Sequence, residues 1–412
     1  MNYITKPRLD IKRIQGNVLG FAESINQRFP AARETGLVRV QSLLDCFTRR
    51  QELQLRINHF NRLRNTHQLD DAGRVELAQC KLEHDSSEQE LHSLAIKLPN
   101  FTHPDVPIGG MSNAKTVRES PVPSAFKVAT FQTHLQLGQA LGLLDFSSAA
   151  KTSGSKFVFM RNQLAMMQTA LELLSMQFYS KRGFEPIATP ELIKPWILES
   201  CGFAPRSDEE DQVYHIQGQD LCLIGTSEIA LAGYFSSTTQ TSIKRMLGIS
   251  HCYRTEAGSG GKHSKGLYRL HQFSKTEMFV VCSSSESEQI HGEMINFTCE
   301  FLDLLGLQYR VMDMPTEELG ASAYRKYDVE VYMPGSKRWG EVASLTNCID
   351  YQSRRLEIKY KSEFAHTLNG TACALPRILL AIMETYQLPD GQGFSLPECL
   401  QPLCGFKQVT KT

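Results

Sequence analysis

The sequence predicts an α+β protein, an antiparallel sheet with packed helices, preceded by a long antiparallel helical hairpin. Three observations carry this expectation. Residues 35–98 contain no proline and only two glycines, so nothing interrupts helix there. From about residue 130 helical and extended patterns alternate without a repeated βαβ order, and strands and hairpins dominate residues 247–358. Around residues 251–277 two extended segments flank a Gly-rich loop.

In the first region Val38, Leu43, Leu44, Phe47, Leu55, Phe60 and Leu63 form a loose helical stripe. Asp70-Asp71-Ala-Gly73 reads as the turn, and Val75, Leu77, Leu82, Leu91 and Leu94 as a second stripe. A helix of about 30 residues spans roughly 45 Å, so the hairpin projects from a globular body. Its first helix carries Arg39, Arg49, Arg50, Arg56, Arg62 and Arg64; its second is rich in Glu and Asp. Either the two faces neutralise each other, or the arginines lie along an RNA backbone, with Arg49, Arg50 and Arg56 as candidate RNA contacts. Pro99, Pro104, Pro107, Gly109 and Gly110 make residues 98–110 a stiff linker. The expected division is residues 1–110 for the N-terminal segment, hairpin and linker, and 111–412 for the body.

Composition narrows the classes. A chain of 412 residues accommodates two domains with a large core. Formal net charge is zero, so a nucleic-acid site must be a local patch. No run of eighteen apolar residues occurs, and no membrane association is expected. Eleven scattered cysteines without a Cys-x-x-Cys pair argue against a disulfide framework or structural zinc, and for a reducing compartment. Lys6, Arg8, Lys12 and Arg13 interspersed with Asp10 do not make a secretory signal. They fit the remainder of a transit peptide or an ordered lead-in.

The most informative stretch is His251-Cys-Tyr-Arg254-Thr-Glu256-Ala-Gly-Ser-Gly-Gly261, followed by Gly266-Leu-Tyr-Arg269-Leu-His271-Gln-Phe273-Ser-Lys275-Thr-Glu277. Arg254, Glu256, Arg269, Phe273 and Glu277 fall at even spacings, which on extended strands brings them to one face. Guanidinium groups grip phosphate in a fixed fork. Phe273 offers a flat face to a base, and the carboxylates accept from an ammonium or exocyclic amine. Such a set suits a nucleoside triphosphate beside an amine-bearing substrate. Further along, Thr226 and Glu228 pair a hydroxyl with a carboxylate suited to an ammonium, although on local grounds a helix N-cap, with Thr226 capping and Glu228 in the first turn, explains them better. Glu341 and Ser344, on the second of two strands joined by a turn, offer hard oxygens to a cation. His366 to Arg377, with Asn369, Gly370 and Thr371, reads as a strand, a tight small-residue turn and a helix bearing Arg377 at its start.

The residues around Arg254–Glu277 resemble motif 2 of the class II aminoacyl-tRNA synthetases, and of the seryl-tRNA synthetases in particular. Residues 183–190 resemble motif 1, the dimer-forming element, and residues 366–381 resemble motif 3. Two departures occur: Pro376 stands where glycine is common before the motif 3 arginine, and Thr371 where serine is common. The resemblance implies serine activation with ATP and Mg²⁺ through a seryl-adenylate, then transfer to tRNA(Ser). It implies a serine pocket of Thr226, Glu228, Arg254, Glu277, Asn369 and Thr371. ATP would meet Arg254, Glu256, Arg269, Phe273, Glu341, Ser344 and Arg377, with the metal at Glu341 and Ser344. Catalysis would rest on Arg254, Glu256 and Arg377. It further implies a homodimer, or a heterodimer with a paralogue. The short arm, the linker and residues 364–377 are similar to those of animal mitochondrial members, which implies the mitochondrial matrix. The rival readings are an inactive paralogue that binds tRNA or pairs with an active subunit, and a tRNA-independent ligase on the same body.

Overall fold

The computed structural model describes residues 9–32, 34–122, 130–203, 212–256, 266–389 and 391–411. The Gly-rich loop at 257–265, and with it Gly258–Gly261, lies outside the described residues, as do Lys6 and Arg8.

Two short helices not anticipated from the sequence, α1 (Ile11–Gly16) and α2 (Val18–Arg28), open the described chain. The hairpin follows as α3 (Gly36–Asn65) and α4 (Asp71–Ile96). Thr35 and Asp70 cap them, each side chain accepting from a backbone N–H three residues on. Asp70-Asp71-Ala-Gly73 is therefore not the turn but the start of α4; a carboxylate at an N-cap satisfies an orphan amide and favours helix over turn. Leu53, Ile57, Leu69, Leu77 and Cys80 fill the hairpin interior. Phe21 and Ile25 pack with Val40, Leu43, Ala95 and Leu98 at its base. Buried Arg28 ties this base to the body, donating to the carbonyls of Phe101, Gly320 and Ala323.

The body is built on an eight-stranded sheet: β1 (Lys115–Glu119), β2 (Glu185–Ala188), β3 (Lys244–Tyr253), β4 (Gln272–Cys282), β5 (Tyr309–Asp313), β6 (Arg325–Met333), β7 (Arg338–Asn347) and β8 (His366–Ala374). Their spatial order is β1-β5-β6-β7-β8-β4-β3-β2, antiparallel throughout except that β2 runs parallel to β3 at one edge. This is the α+β architecture expected.

Alternation along β4 divides the body. Met278, Val280 and Cys282 face the main core, where Leu345 and Leu368 from neighbouring strands meet three helices: α6 (Asn162–Ser180), α8 (Ser287–Leu304) and α10 (Leu375–Thr385). Phe279 and Val281 face the other side and pack with Met246 against α7 (Ser227–Tyr234). The same face continues through Phe273, Lys275 and Glu277, so on this side of the sheet the apolar cluster under α7 gives way to a polar surface. Gly248 lets α7 approach it: a Cβ there would stand 2.7 Å from Ser227 Oγ and 2.9 Å from Leu231 Cδ1. The remaining helices used below are α5 (His134–Ala140) and α9 (Tyr351–Leu356).

The expected turn before α10 is absent. β8 runs to Ala374, and α10 begins at the next residue with Pro376 in its first turn, where its missing N–H needs no partner. Gly370 does not serve ligand approach, because a Cβ there would meet Met294 and Leu345 of the core.

Candidate active site

A cleft of about 470 Å³ opens on the polar face. Arg254, Glu256, Arg269, Phe273, Glu341, Thr371 and Arg377 all line it. They gather differently from the strand alternation expected. Of the motif 2 set only Phe273 and Glu277 lie on a strand, β4; Arg254 and Glu256 follow the end of β3, and Arg269 precedes β4. Beyond the strand ends no ladder fixes side-chain direction, and other contacts do. Glu256 takes a left-handed backbone (φ 52°) and its carboxylate holds Arg269 at 2.9 Å. Arg254 donates to the Gly225 carbonyl (3.2 Å) and lies over the Phe273 ring, 5.3 Å from its centre.

Two bulges re-aim the neighbouring strands. Pairing of β6 with β7 skips Val342, and pairing of β8 with β4 skips Ala372. Glu341 and Ser344 are three apart, which on an unbroken strand sends them to opposite faces. The extra residue between them restores a shared side. Glu341 reaches Arg377, Oε1 to Nη1 being 3.2 Å, and the same nitrogen donates to the Glu341 carbonyl at 2.9 Å. Burial pushes the Glu341 carboxyl up, but Arg377, Lys326 and Arg254 outweigh it and hold the group below its ordinary range. Arg377 also stacks on Tyr268, 4.6 Å from the ring centre.

Deeper in the same face lies a nearly closed polar network. Thr226 caps α7, its hydroxyl accepting from the Glu228 amide at 3.3 Å, so the capping reading holds. The same hydroxyl also accepts from Lys275 Nζ at 2.8 Å, and Lys275 pairs with Glu277 at 2.5 Å. Glu228 accepts from Gln352 of α9 (2.6 Å) and from Asn369 (2.9 Å). Burial, reinforced by Glu277, pushes the Glu228 carboxyl up to about 8. Lys275 and Gln352 carried no role in the sequence reading. Lys275 sits at the same even spacing as Phe273 and Glu277 and was open to the same argument. Gln352 comes from a helix 124 residues beyond Glu228, and nothing local marks it.

The arginines of the hairpin are engaged. Arg49 pairs with Glu90, Arg50 with Glu88 at 2.8 Å and Arg56 with Glu76 at 2.5 Å, all across the two helices. Among the described residues no group of three or more His, Cys, Asp or Glu side chains is arranged to hold a metal, none of the eleven cysteines forms a disulfide, and no helix is long and apolar enough to cross a membrane.

Gathered on one face of an antiparallel sheet, Arg254 and Arg269 beyond strand ends, Phe273 on a strand and Arg377 at a helix start define the catalytic core of a class II aminoacyl-tRNA synthetase. A family model described as the tRNA synthetase class II core domain (G, H, P, S and T) matches residues 212–386. The chain is 44% identical over 345 residues to a serine–tRNA ligase of Treponema denticola, covering 81% of each. It is 41% identical over 338 residues to a mitochondrial serine–tRNA ligase of Mus musculus, covering 78% of this chain and 64% of that one. The crystal structure of a Pyrococcus horikoshii seryl-tRNA synthetase complexed with ATP superposes with a TM-score of 0.86 at 29% identity, covering 98% of this chain and all of that one. The chain belongs to the seryl-tRNA synthetase family, the serine–tRNA ligases.

The raised Glu228 carboxyl makes stability depend on pH. Its proton is bound more tightly in the folded chain than in the unfolded one, so the stability this gives is fully present below pH 4.5 and is lost as pH rises toward 8. Within that window the loss is about 1.4 kcal/mol per pH unit. Glu228→Gln keeps an acceptor for Gln352 and Asn369 but has no proton to lose. Urea denaturation across the window is expected to show a flatter profile for the variant and a higher stability near pH 8; superimposable profiles would exclude the assignment.

Proposed function

We propose that the cleft activates serine with ATP and passes the seryl group to tRNA(Ser). The observation that carries this reading is the continuity between two half-sites. The outer cleft holds Arg254, Glu256, Arg269, Phe273, Thr371 and Arg377, and the inner network holds Thr226, Glu228, Glu277 and Asn369; Arg254, beside Gly225 and Phe273, and Thr371, opposite Glu277 in register, stand between them. ATP lies in the outer half, its base against Phe273 and its phosphates against Arg254, Arg269 and Arg377. Serine lies in the inner half, where the pairing of Lys275 with Thr226 and Glu277 indicates oxygens suited to an ammonium. Arg254 then reaches both the α-phosphate and the serine carboxylate. No side-chain nucleophile is required, because the serine carboxylate attacks the α-phosphate and a ribose hydroxyl of tRNA attacks the adenylate. The residues contribute positioning and charge stabilisation. Serine is selected by buried partners for its hydroxyl, which alanine leaves unpaired. Glu341 and Ser344 suit Mg²⁺: both are oxygen donors, and Asp328, which pairs with Ser344 in register, has a buried Oδ1 without a hydrogen-bond partner. Mg²⁺ keeps most of its shell as water and phosphate, so few protein ligands suffice. When bound, it neutralises charge on the phosphates.

In this reading residues 1–110 form the tRNA module and 111–412 the catalytic one, in keeping with the separate apolar clusters of the arm. The pairs of Arg49 and Arg56 are half exposed, so phosphates can replace their carboxylates at little loss. The reading includes a homodimer, or a heterodimer with a paralogue, through the edge strand β2, beside which Met166, Leu173 and Leu192 are exposed. It includes the mitochondrial matrix, supported by the mouse relative at 41% identity, against 44% for the bacterial one. An inactive paralogue is disfavoured by the unbroken set of charged residues in the cleft.

Arg254→Ala is expected to lower serine-dependent ATP–pyrophosphate exchange on the order of 100-fold or more with the fold intact; activity within tenfold of the parent would refute its role. Sedimentation at micromolar concentration should give a dimer, and a fully active monomer would remove the interface. Replacing Arg49, Arg50 and Arg56 together with Ala should weaken tRNA binding and flatten its salt dependence while leaving the KM for serine unchanged. Normal charging at moderate salt would return these residues to a merely solvated face.

A further inference from the structure

Behind the outer cleft lies a buried cluster that the reading above does not use. Glu384, on α10, has no exposed surface, and no lysine or arginine pairs with it among the described residues. Its carboxylate instead accepts four hydrogen bonds. His134 gives two, from its backbone N–H and from Nδ1, both at 3.0 Å. Ser336, in the turn between β6 and β7, gives two more from its N–H and hydroxyl, both at 2.8 Å. Gln132 and Gln387 lock the same segments together, since the Gln387 side chain donates to the Gln132 carbonyl at 2.6 Å and accepts from its N–H at 2.9 Å.

The far side of the His134 ring faces motif 2. The backbone N–H of Leu267 points at His134 Nε2 from 3.3 Å. A nitrogen that receives an N–H must carry its lone pair, so the proton sits on Nδ1, where Glu384 accepts it. The carboxylate thus fixes both the tautomer and the tilt of the ring, as carboxylates do for histidines that ligate metals. Contact is tight at the preceding residue as well. Gly266 has φ +74°, and a Cβ there would stand 2.2 Å from His134 Nε2.

The segment so held carries the outer cleft. Leu267, Tyr268 and Arg269 all line it. The Tyr268 carbonyl accepts from Arg377 Nε at 3.3 Å, its ring lies under that guanidinium, and Arg269 pairs with Glu256. A shift of Leu267 therefore displaces Arg269 and Arg377, two of the three arginines assigned to phosphate, while the inner network of Thr226, Glu228 and Asn369 shares no contact with His134. We propose that His134 is a positioning residue for the nucleotide half of the site, holding the backbone at Gly266–Arg269 through an acceptor nitrogen that Glu384 orients. This rests on the reading of the outer cleft as the ATP site.

The test compares His134→Phe and Gly266→Ala with the parent chain in serine-dependent pyrophosphate exchange and in thermal shift with ATP or serine alone. His134→Phe keeps the ring and removes both nitrogens. Gly266→Ala leaves the Glu384 cluster whole and drives a methyl group against Nε2, so it serves if the first variant does not fold. The expected result is a KM for ATP raised at least tenfold, a KM for serine within twofold, and an ATP-induced rise in Tm that shrinks while the serine-induced rise persists. A parent-like KM for ATP in the folded variants, or equal losses for ATP and serine, would overturn the inference alone. A parent chain with neither exchange nor an ATP shift would overturn the ATP reading and the inference with it.

Discussion

Three ionisable groups buried within a single face of the sheet set the terms for the rest of the site. Glu228, Lys275 and Glu277 are each at most 5% exposed. Removing a charge from water is costly unless each charge finds partners of fitting geometry. Here the partners come from four directions: Thr226 at the start of α7, Gln352 from α9, Asn369 from β8, and the Lys275–Glu277 pair within β4. The arrangement leaves one carboxyl, Glu228, short of compensating charge, and its proton affinity rises accordingly. Under the proposed serine-binding role of this network, an incoming ammonium would supply the charge that the protein withholds.

The outer cleft follows a different rule. Its charged groups sit where strands have ended or bulged, and each is steered by a neighbour rather than by the sheet. Arg377 is held by Glu341 and Tyr268, Arg269 by Glu256, and Arg254 by the Gly225 carbonyl and the Phe273 ring. Carboxylates that hold arginines in place also keep them from collapsing onto other acceptors. The same device appears in the arm, where carboxylates of α4 hold the arginines of α3. In both places anionic side chains occupy guanidinium forks that match phosphate equally well.

The buried Glu384–His134 unit shows how elements distant in sequence act together. It joins α5, the turn between β6 and β7, and α10 to the backbone before β4. A carboxylate without a cation is stable there only because four donors converge on it.

The division of the fold was legible in the sequence because it depends on local patterns. An uninterrupted helical stretch gives the arm, alternating residues on β4 give a core face and a polar face, and Arg254, Glu256, Arg269 and Glu277 declare their chemistry wherever they stand. Family resemblance placed Thr226, Asn369 and Arg377 in one site, and the structure brings them to one face of the sheet. What sequence periodicity missed or misassigned were the positions where the period breaks: it did not show the bulges at Val342 and Ala372, and it misplaced the left-handed Glu256, the cap at Asp70 and the direct passage from β8 into α10. A bulge or a cap is decided by which partner an amide finds, and that partner can lie anywhere in the chain. For the same reason Gln352 and His134 were invisible beforehand. Their meaning lies in hydrogen bonds spanning 124 and 250 residues, which exist only once the sheet has closed the distance. Local pattern specified which side chains were available and the faces on which strands and helices present them. Tertiary structure alone decided which of those groups are buried together, because burial makes an unpaired polar group costly and so selects the partners.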